Sequence, residues 1–393
     1  MTIIPLTPID HIFTGVGSYP IEFVFAYDGE LDADRLGASL RSVVEHFPPL
    51  SSRLVRLSET AYGLQPAHDG LEFQVVTSDA PLDLAANAYD FLNPVDTTEG
   101  QPLARLKLTH TPRGSVLGVS ISHAVVDGFS YFYFLSSWAR LYHDKPFHPP
   151  SHQRELLIPT VAERDPLTPD DLLAEAGAFW AERRSQVDRQ HLAWETIQLP
   201  RQRMNELLQE GQRDVDVRLS HNDVITAHLW RKYVPQWSAP EDGDAYISCP
   251  VDFRRALRPF PPTYFGCAVS LATDRVAHDQ LAEASLGQLA LKVRAAVARV
   301  DRDYVERANR ALETLRQQQG LPVLERLHVI HPHSGLLVTN LSRLPVNEIQ
   351  FDAGPPASFA ILTPAERGAV VLPAADGVEV RICLPVGNVE GGR

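Results

Sequence analysis

A histidine and an aspartate four positions apart, His123 and Asp127, are the residues of this 393-residue chain whose types and spacing most suggest chemistry. An imidazole, with an unperturbed pKa of about 6.5, is suited to removing a proton from a hydroxyl or an amine at neutral pH. The Asp127 carboxylate is not expected to reach a substrate. It would instead hold the local backbone, through an arginine or nearby amides, and so orient the imidazole. The spacing alone is a weak signal, so the interpretation depends on the elements that carry the two residues.

The elements around this pair place the histidine at the end of a strand. Residues 116–121 are predicted as a strand, and residues 127–142 predict a helix with many aromatic side chains, one face of which must be buried. Gly128 follows the aspartate directly, at the predicted helix start. His123 therefore lies in the turn between strand and helix, where its ring can be held rigidly and face a channel. The alternative is a core histidine satisfied by a backbone carbonyl.

Helices and strands alternate in both halves of the chain, which predicts a mixed α/β fold. The length of 393 residues suits two domains of about 150–200 residues each. Strands are predicted at 21–27, 103–108, 245–251, 335–339, 358–363, 368–372 and 377–384, and helices at 31–47, 170–189, 221–234 and 282–319.

The overall charge and the cysteine pattern argue against several classes of function. A formal net charge of −13 with no basic block does not favour binding to nucleic acid or to anionic membranes. Three separated cysteines with no Cys-x-x-Cys pair do not favour a zinc or redox centre and suit a reducing compartment. His331 and His333 flank a proline and are interpreted as a loop, so no metal site is expected. The N-terminus is not signal-like and no apolar run approaches about 20 residues, which predicts a soluble cytoplasmic protein.

Short patterns in seven segments, in order along the chain, are shared with one group of enzymes. The segments are 6–10 (LTPID), 46–54 (HFPPLSSRL), 123–128 (HAVVDG), 223–230 (DVITAHLW), 258–266 (RPFPPTYFG), 339–345 (TNLSRLP) and 351–356 (FDAGPP). Together they resemble the BAHD acyltransferases, within the wider group that contains chloramphenicol acetyltransferase and the condensation domains of peptide synthetases. The resemblance spans nearly the whole chain, and the ordered series is more specific than any single match.

The sequence departs from the patterns of that family at three places. The first aspartate of the family's D-F-G-W-G pattern, which is structural in the family, falls on Gln350, so its salt bridge is expected to be lost. Cys267 stands where the family has an asparagine after Tyr-Phe-Gly. Leu341 replaces a tryptophan that helps to bind an oxyanion in the family, so that role is expected to pass elsewhere or to weaken. Thr339 and Asn340 are kept as candidate contacts to an oxyanion or substrate, with an end-of-strand cap or turn as the alternative.

The resemblance implies two similar α/β sandwich domains of the chloramphenicol acetyltransferase type, each with a mixed sheet, and a channel along their interface. The N-terminal domain, which carries His123, is expected at 1–190 and the C-terminal domain at 191–393, with a crossover segment around 145–215. The histidine would lie midway along the channel, between an acyl donor entering from one face and an acceptor entering from the other. A monomer is expected, because one chain supplies both halves of the channel.

The resemblance also implies an acyltransferase that moves an acyl group from a thioester to a hydroxyl or amine of a small metabolite. His123 would take the proton of the acceptor as it attacks the thioester carbonyl, and no acyl-enzyme would form. The donor would be an acyl-CoA or an acyl-carrier protein, with no tightly bound cofactor. Arg254, Arg255 and Arg258 are candidates for contacting the phosphates of the donor, with a solvated turn as the alternative.

Two other enzymatic functions fit the same segments. A stand-alone condensation enzyme that forms amides between carrier-bound substrates is one, although such domains usually carry two adjacent histidines and Ser122 fills the first position here. A cyclase or isomerase of the same fold, without acyl transfer, is the other, because the D-F-G-W-G region is altered. A binding module without catalysis is disfavoured by the intact His-x-x-x-Asp-Gly segment.

Overall fold

Two mixed β-sheets, each packed against helices, form the framework of the chain. A computed structural model describes residues 2–79, 82–84, 86–161, 166–184, 189, 192–237 and 243–384. The strands are β1 (Ile4–Pro5), β2 (Pro20–Tyr27), β3 (Ser52–Arg56), β4 (Tyr62–Pro66), β5 (Leu71–Thr77), β6 (Ala104–Thr111), β7 (Gly114–Ser122), β8 (Phe179–Trp180), β9 (Ala193–Leu199), β10 (Asp244–Asp252), β11 (Val269–Ala277), β12 (Leu327–His328), β13 (Gly335–Asn340), β14 (Ser358–Ile361), β15 (Gly368–Pro373) and β16 (Val378–Leu384). The helices are α1 (Pro8–Ile12), α2 (Ala33–Val44), α3 (Gly128–Tyr142), α4 (Pro169–Ala176), α5 (Arg201–Gln212), α6 (His221–Tyr233), α7 (His278–Leu281), α8 (Leu286–Ala298) and α9 (Arg302–Gln319).

The first sheet has the strand order β14-β2-β7-β6-β5 and carries the histidine motif at the end of β7. Strand β7 runs antiparallel to both β2 and β6, whereas β5 and β6 are parallel. Helices α2 and α3 contribute to one hydrophobic core with this sheet, in which Phe23, Phe25 and Trp138 are fully buried. The aromatic face predicted for the helix after the histidine therefore lies in this core.

The second sheet has the order β11-β10-β13-β15-β16-β9. Strand β13 runs parallel to both β10 and β15, and the remaining pairs are antiparallel. Helices α5, α6 and α8 share its main core, where Trp230, Ile247 and Leu336 are fully buried. Both halves of the chain thus contain a mixed sheet with helices on it, which confirms the predicted fold class.

One strand connects the two halves. Strand β14 belongs to the C-terminal half of the sequence but pairs antiparallel with β2 at the edge of the first sheet, with Phe359 opposite Phe25. A division of the chain at one point therefore does not separate the two sheets completely. The predicted boundary at residues 190 and 191 lies outside the described residues and stays a prediction.

The helix boundaries differ from the predictions at two places. The helix predicted over 282–319 is two helices, because Asp301 caps the start of α9 by accepting a hydrogen bond from the Tyr304 N–H at 2.9 Å. The helix predicted over 170–189 ends at Ala176, since Gly177 takes a left-handed conformation with φ of 67°. Within the described ranges, no helix has both the length and the apolar character needed to cross a membrane.

Candidate active site

The turn that carries His123 is fixed by its own backbone and by a neighbouring threonine. The Ser122 carbonyl accepts a hydrogen bond from the Val125 N–H at 3.1 Å, and the Ser122 hydroxyl oxygen accepts one from the Ala124 N–H at 3.2 Å. The Thr97 hydroxyl donates to the same Ser122 oxygen at 2.8 Å. These hydrogen bonds fix the turn between β7 and α3 that carries His123.

Two aromatic rings and a thiol surround the His123 imidazole, which is half-buried. The Phe13 ring stacks on it, with ring centroids 3.9 Å apart and planes 14° apart. Tyr19 meets it edge-on at 6.1 Å and 86°. The Cys267 Sγ lies 3.9 Å from His123 Nδ1. The site thus joins residues from the start of the chain, from the β7–α3 turn and from the segment before β11.

These surroundings make the imidazole neutral near neutral pH. Burial lowers the pKa of His123 to about 4, although a hydrogen bond to its own backbone carbonyl and the charge of Asp127 act in the opposite direction. Only Nδ1 is close enough along the side chain to reach the carbonyl of the same residue. A hydrogen bond from Nδ1 to this carbonyl leaves the lone pair on Nε2, which is the tautomer that a base at Nε2 requires.

Asp127 caps the helix that follows and binds an arginine from the other half of the chain. One carboxylate oxygen accepts from the Ser130 N–H at 2.8 Å, and the other accepts from the Ala268 N–H at 2.9 Å. The Arg254 guanidinium donates to both oxygens, at 2.7 and 3.1 Å. One carboxylate thus fixes both the start of α3 and the segment that carries Cys267, and the expected support of the His123 ring by Asp127 stays a prediction.

The Asp127–Arg254 ion pair is buried, with side-chain exposures of 2% and 5%. Burial alone raises the pKa of Asp127, but the charge and hydrogen bonds of Arg254, together with the N–H groups of Ser130 and Ala268, hold it below its usual value. Arg254 also donates to the carbonyls of Tyr264 and Gly266. An ion pair satisfied this fully fixes the geometry of the segments it joins.

The position of Arg254 corrects its assignment to the phosphates of an acyl donor. Its guanidinium points inward to Asp127, and the neighbouring carbonyls occupy its remaining donors. The run of arginines in the sequence did not distinguish the buried member from the exposed ones. Arg255 and Arg258 are exposed, and their contact with a donor stays a prediction.

The end of β13 lies beside the start of α3, which brings the second group of predicted residues to the histidine motif. A Cβ atom at Gly128 would lie 3.2 Å from Leu341 Cδ2. Asn340 forms a turn at this strand end: its amide donates to the Asn222 Oδ1 at 2.7 Å, and its Oδ1 accepts from the Ser342 N–H at 3.0 Å. The cap interpretation thus applies to Asn340, and Thr339, which is half-buried, stays a candidate substrate contact.

The altered D-F-G-W-G region contains an ion pair at a position other than Gln350, and the loss of the salt bridge expected at Gln350 stays a prediction. Asp352, two positions after Gln350, pairs with Arg35 at 3.3 Å and accepts a hydrogen bond from the Tyr142 hydroxyl. The Arg35 guanidinium also lies 4.2 Å above the centroid of the Tyr142 ring. An acidic side chain in this segment therefore binds the N-terminal half at α2 and α3.

Within the part of the chain that the structure describes, no group of three or more His, Cys, Asp or Glu side chains is placed to hold a metal ion. His331 stacks on Tyr246 at 4.4 Å and its Nδ1 lies 3.0 Å from the Ser334 hydroxyl. The interpretation of His331 and His333 as part of a loop agrees with this packing.

Comparison with known proteins gives the family of this chain. The model of the Transferase family matches residues 3–391. The chain therefore belongs to this family, the BAHD acyltransferases, and the predicted enzyme class is confirmed.

Relatives of known name align over most of the chain. Hydroxycinnamoyltransferase 2 of Oryza sativa subsp. japonica is 29% identical over 396 residues, which cover 91% of this chain and 85% of the relative. Hydroxycinnamoyl-CoA:5-hydroxyanthranilate N-hydroxycinnamoyltransferase HHT1 of Avena sativa is 30% identical over 390 residues, covering 91% and 86%. The similarity extends well beyond the histidine motif.

Solved structures share the fold. TRI101 of F. sporotrichioides, complexed with coenzyme A and T-2, superposes with a TM-score of 0.76 at 17% identity and covers 98% of this chain and 96% of its own. Vinorine synthase superposes with a TM-score of 0.69 at 16% identity, covering 99% and 91%. The predicted two-domain α/β architecture is therefore confirmed.

Proposed function

We propose that this enzyme transfers an acyl group, of the hydroxycinnamoyl kind, from coenzyme A to a hydroxyl or amine of a small molecule, with His123 as general base. The observation that carries the proposal is the position of the His123 imidazole, in the turn between β7 and α3 with its ring stacked on Phe13, where burial lowers its pKa and keeps it neutral. Nε2 is then a free base at neutral pH, which a general base requires.

The proposed reaction needs no covalent intermediate. Nε2 of His123 takes the proton from the acceptor while the acceptor oxygen or nitrogen forms a bond to the thioester carbonyl carbon. The resulting tetrahedral oxyanion collapses, the carbon–sulfur bond breaks, and the imidazolium returns its proton to the leaving thiolate. Holding both substrates at one base supplies much of the rate enhancement in reactions of this type.

Cys267 is the nucleophile nearest to the base, and its environment argues against an acyl-cysteine. A thiol must lose its proton to attack a thioester, and burial raises the pKa of Cys267 well above its ordinary value. Its Sγ also lies 3.9 Å from Nδ1 of His123, the nitrogen that bears the hydrogen in the proposed mechanism, and not beside Nε2. The thiol therefore has no base to activate it, which supports direct transfer.

The oxyanion contact is proposed for Thr339. The Asn340 amide already donates to Asn222, and Leu341 brings no polar hydrogen to the site. A hydroxyl aimed at the developing charge is worth about 3–4 kcal/mol in acyl-transfer chemistry. Thr339 is half-buried at the end of β13, next to the segment that contacts Gly128.

The donor and the acyl group are inferred from three features. The matched relatives bear the names of hydroxycinnamoyl transferases, and one name specifies the coenzyme A thioester. Tyr19, edge-on to His123, gives the site an aromatic side chain that suits a planar ring on the donor or the acceptor. Arg255 and Arg258 are exposed and can contact phosphates. Because both halves of the site come from one chain, we propose that a monomer is active.

The test of the base is His123→Ala, with His148→Ala as the matched control because His148 is an exposed histidine whose side chain makes no contact with the site. With a hydroxycinnamoyl-CoA and a panel of small alcohols and amines, release of free coenzyme A thiol measures turnover. His123→Ala should lower kcat by about 10²–10⁴-fold with an unchanged unfolding transition. Wild-type turnover by folded His123→Ala protein would reject the base.

The same assay tests the remaining parts of the proposal. Turnover with free hydroxycinnamoyl-CoA and no carrier protein would distinguish this enzyme from a condensation enzyme. Intact-protein mass spectrometry after an acid quench during turnover should show no added acyl mass. An acyl adduct on Cys267, lost in a Cys267→Ser variant, would contradict direct transfer.

A further inference from the structure

The loop that carries Phe13 is held by an arginine from a distant part of the sequence. Helix α1 ends at Ile12, and Phe13 follows it as the capping residue with φ of −95° and ψ of 23°. The Arg184 guanidinium donates to the Ile12 carbonyl at 2.9 Å through Nη1 and to the Thr14 carbonyl at 2.9 Å through Nη2. These carbonyls lie on either side of Phe13, so Arg184 fixes the backbone before and after the ring that stacks on His123.

Arg184 is itself fixed by the C-terminal half of the chain. Its Nη2 also donates to the Leu324 carbonyl at 3.0 Å, and its backbone N–H donates to the Glu325 carbonyl at 2.9 Å. The planar guanidinium thus joins two segments that are more than 300 positions apart in sequence, and it does so with fixed donor directions. A change in Arg184 is therefore transmitted to the Phe13 backbone rather than absorbed by a flexible side chain.

We propose that Arg184 is a positioning residue of the active site, which acts through Phe13 to hold the plane of the His123 imidazole. This inference rests on the proposed function, in which His123 is the base. The stack at 3.9 Å and 14° leaves the ring little freedom to turn about its own axis, and Nε2 must point at the acceptor for proton transfer. If the Phe13 backbone relaxes, the stack loosens and the imidazole can turn out of line.

The neighbouring arginine offers a matched control. Arg183 pairs with Glu325, but its side chain is 73% exposed and makes no contact with the Phe13 loop among the described residues. Glu325 is only 18% exposed, but water reaches the pair from the Arg183 side and weakens the interaction. Arg183→Gln therefore removes a guanidinium one position away from Arg184 and leaves the carbonyls of Ile12 and Thr14 with their donor.

The test is a double-mutant cycle of Arg184→Gln and Phe13→Leu, with Arg183→Gln and His123→Ala assayed beside it. Each single variant of the cycle is expected to lower kcat by about 10-fold or more, with a smaller change in KM for the acyl donor. The double variant should be no more than about threefold slower than the slower single variant, because both changes remove the same restraint. Arg183→Gln should match the wild type.

A second readout separates positioning from folding. Loosening the stack admits water to the imidazole, so the apparent pKa on the acid limb of kcat/KM should rise in Arg184→Gln and in Phe13→Leu, and stay unchanged in Arg183→Gln. Thermal unfolding of each variant is measured in parallel. Arg184→Lys tests whether a positive charge alone is enough for wild-type kcat. We expect that it is not, because an ammonium group lacks the planar, two-nitrogen geometry of a guanidinium.

The outcomes distinguish the two proposals. The role of Arg184 is overturned, and His123 remains the base, if His123→Ala is inactive but the cycle fails. The cycle fails if the effects of Arg184→Gln and Phe13→Leu on kcat multiply, or if the kinetic pKa is unchanged in these variants. A lowered melting temperature of Arg184→Gln with wild-type kcat assigns Arg184 a purely structural role and overturns the inference as well. Full activity of His123→Ala overturns both.

Discussion

Removal of Arg254 should destabilise the protein more than removal of the charge on Asp127. Arg254→Met leaves a carboxylate that is 2% exposed with two backbone N–H donors and no counter-charge, and breaking a buried ion pair in this way costs about 3–5 kcal/mol. Asp127→Asn keeps a residue that caps helices well. It also leaves Arg254 beside Asp252, at 3.1 Å, and bonded to the Tyr264 and Gly266 carbonyls, so the expected cost is about 1–3 kcal/mol.

The pH dependence of this cost has a definite sign. In the wild type, Arg254 holds the pKa of Asp127 below its usual value of 3.8, against the effect of burial. The ion pair therefore stabilises the fold above pH 3.8. This stabilisation is lost as the pH falls through the lowered pKa of Asp127. In Arg254→Met, burial remains and the counter-charge is gone, so the pKa of Asp127 rises above 3.8. The cost of the substitution should therefore be largest at neutral pH and shrink as Asp127 is protonated.

Urea unfolding followed by tryptophan fluorescence, at pH 7.5 and pH 5.5, measures both effects. The proteins compared are the wild type, Arg254→Met, Asp127→Asn and the double variant. Arg255→Met is the control, because Arg255 is the exposed neighbour of Arg254. The free energy of unfolding of this control should stay within about 0.5 kcal/mol of the wild-type value. An Arg254→Met protein within about 1 kcal/mol of the wild type at pH 7.5, or one whose deficit grows at pH 5.5, would refute the reasoning.

Two further predictions concern the buried titratable groups. Burial lowers the pKa of His11 to about 4. As the pH falls, the His11 side chain is therefore protonated in the unfolded chain before it is protonated in the folded one. The resulting contribution to stability, up to about 3 kcal/mol, is present above about pH 6.5 and is lost between about pH 6.5 and 4. Urea unfolding at pH 7 and 5 should show a smaller loss in His11→Gln than in the wild type, and equal losses would count against this assignment. Cys249, Cys267 and Cys383 are buried and burial raises their thiol pKa, so iodoacetamide at pH 7 should label them in denaturant but not in the native protein. Mass spectrometry of the native sample checks this, and rapid native labelling of Cys267 would show that the thiol is more exposed than its packing indicates.

The local elements of the fold were predictable where hydrophobic patterns and turn residues agree. The strand before His123 and the aromatic helix after it are present as β7 and α3, since both are defined by residues close in sequence. The break between α8 and α9 was not predicted, because a single capping contact from Asp301 outweighs a helical pattern that continues across it. The strand 358–363 was predicted, but its pairing with β2 was not, because partner choice depends on the path of the whole chain.

The site was predictable in residue type but not in partner identity. Asp127 binds both an arginine and a backbone amide, yet the sequence assigned Arg254 to an external phosphate, because neighbouring arginines look alike when burial is unknown. No sequence pattern indicated that Phe13 contacts His123. This contact depends on the loop that Arg184 holds through the carbonyls of Ile12 and Thr14, and Arg184 lies 170 positions or more away from them in sequence.

The replacement of the family's tryptophan by Leu341 constrains where an oxyanion can be stabilised. Leucine has no donor, the Asn340 amide is bound to Asn222, and Cys267 offers only a weak thiol donor beside Nδ1. Among the described residues at the end of β13, the Ser342 hydroxyl already donates to Asn340 Oδ1, so the Thr339 hydroxyl is the donor that we propose for this role. A hydroxyl can rotate to follow the carbonyl oxygen as it moves out of the thioester plane, whereas an indole N–H is fixed by its ring. This freedom of rotation is the physical reason for proposing that Thr339 takes over the role.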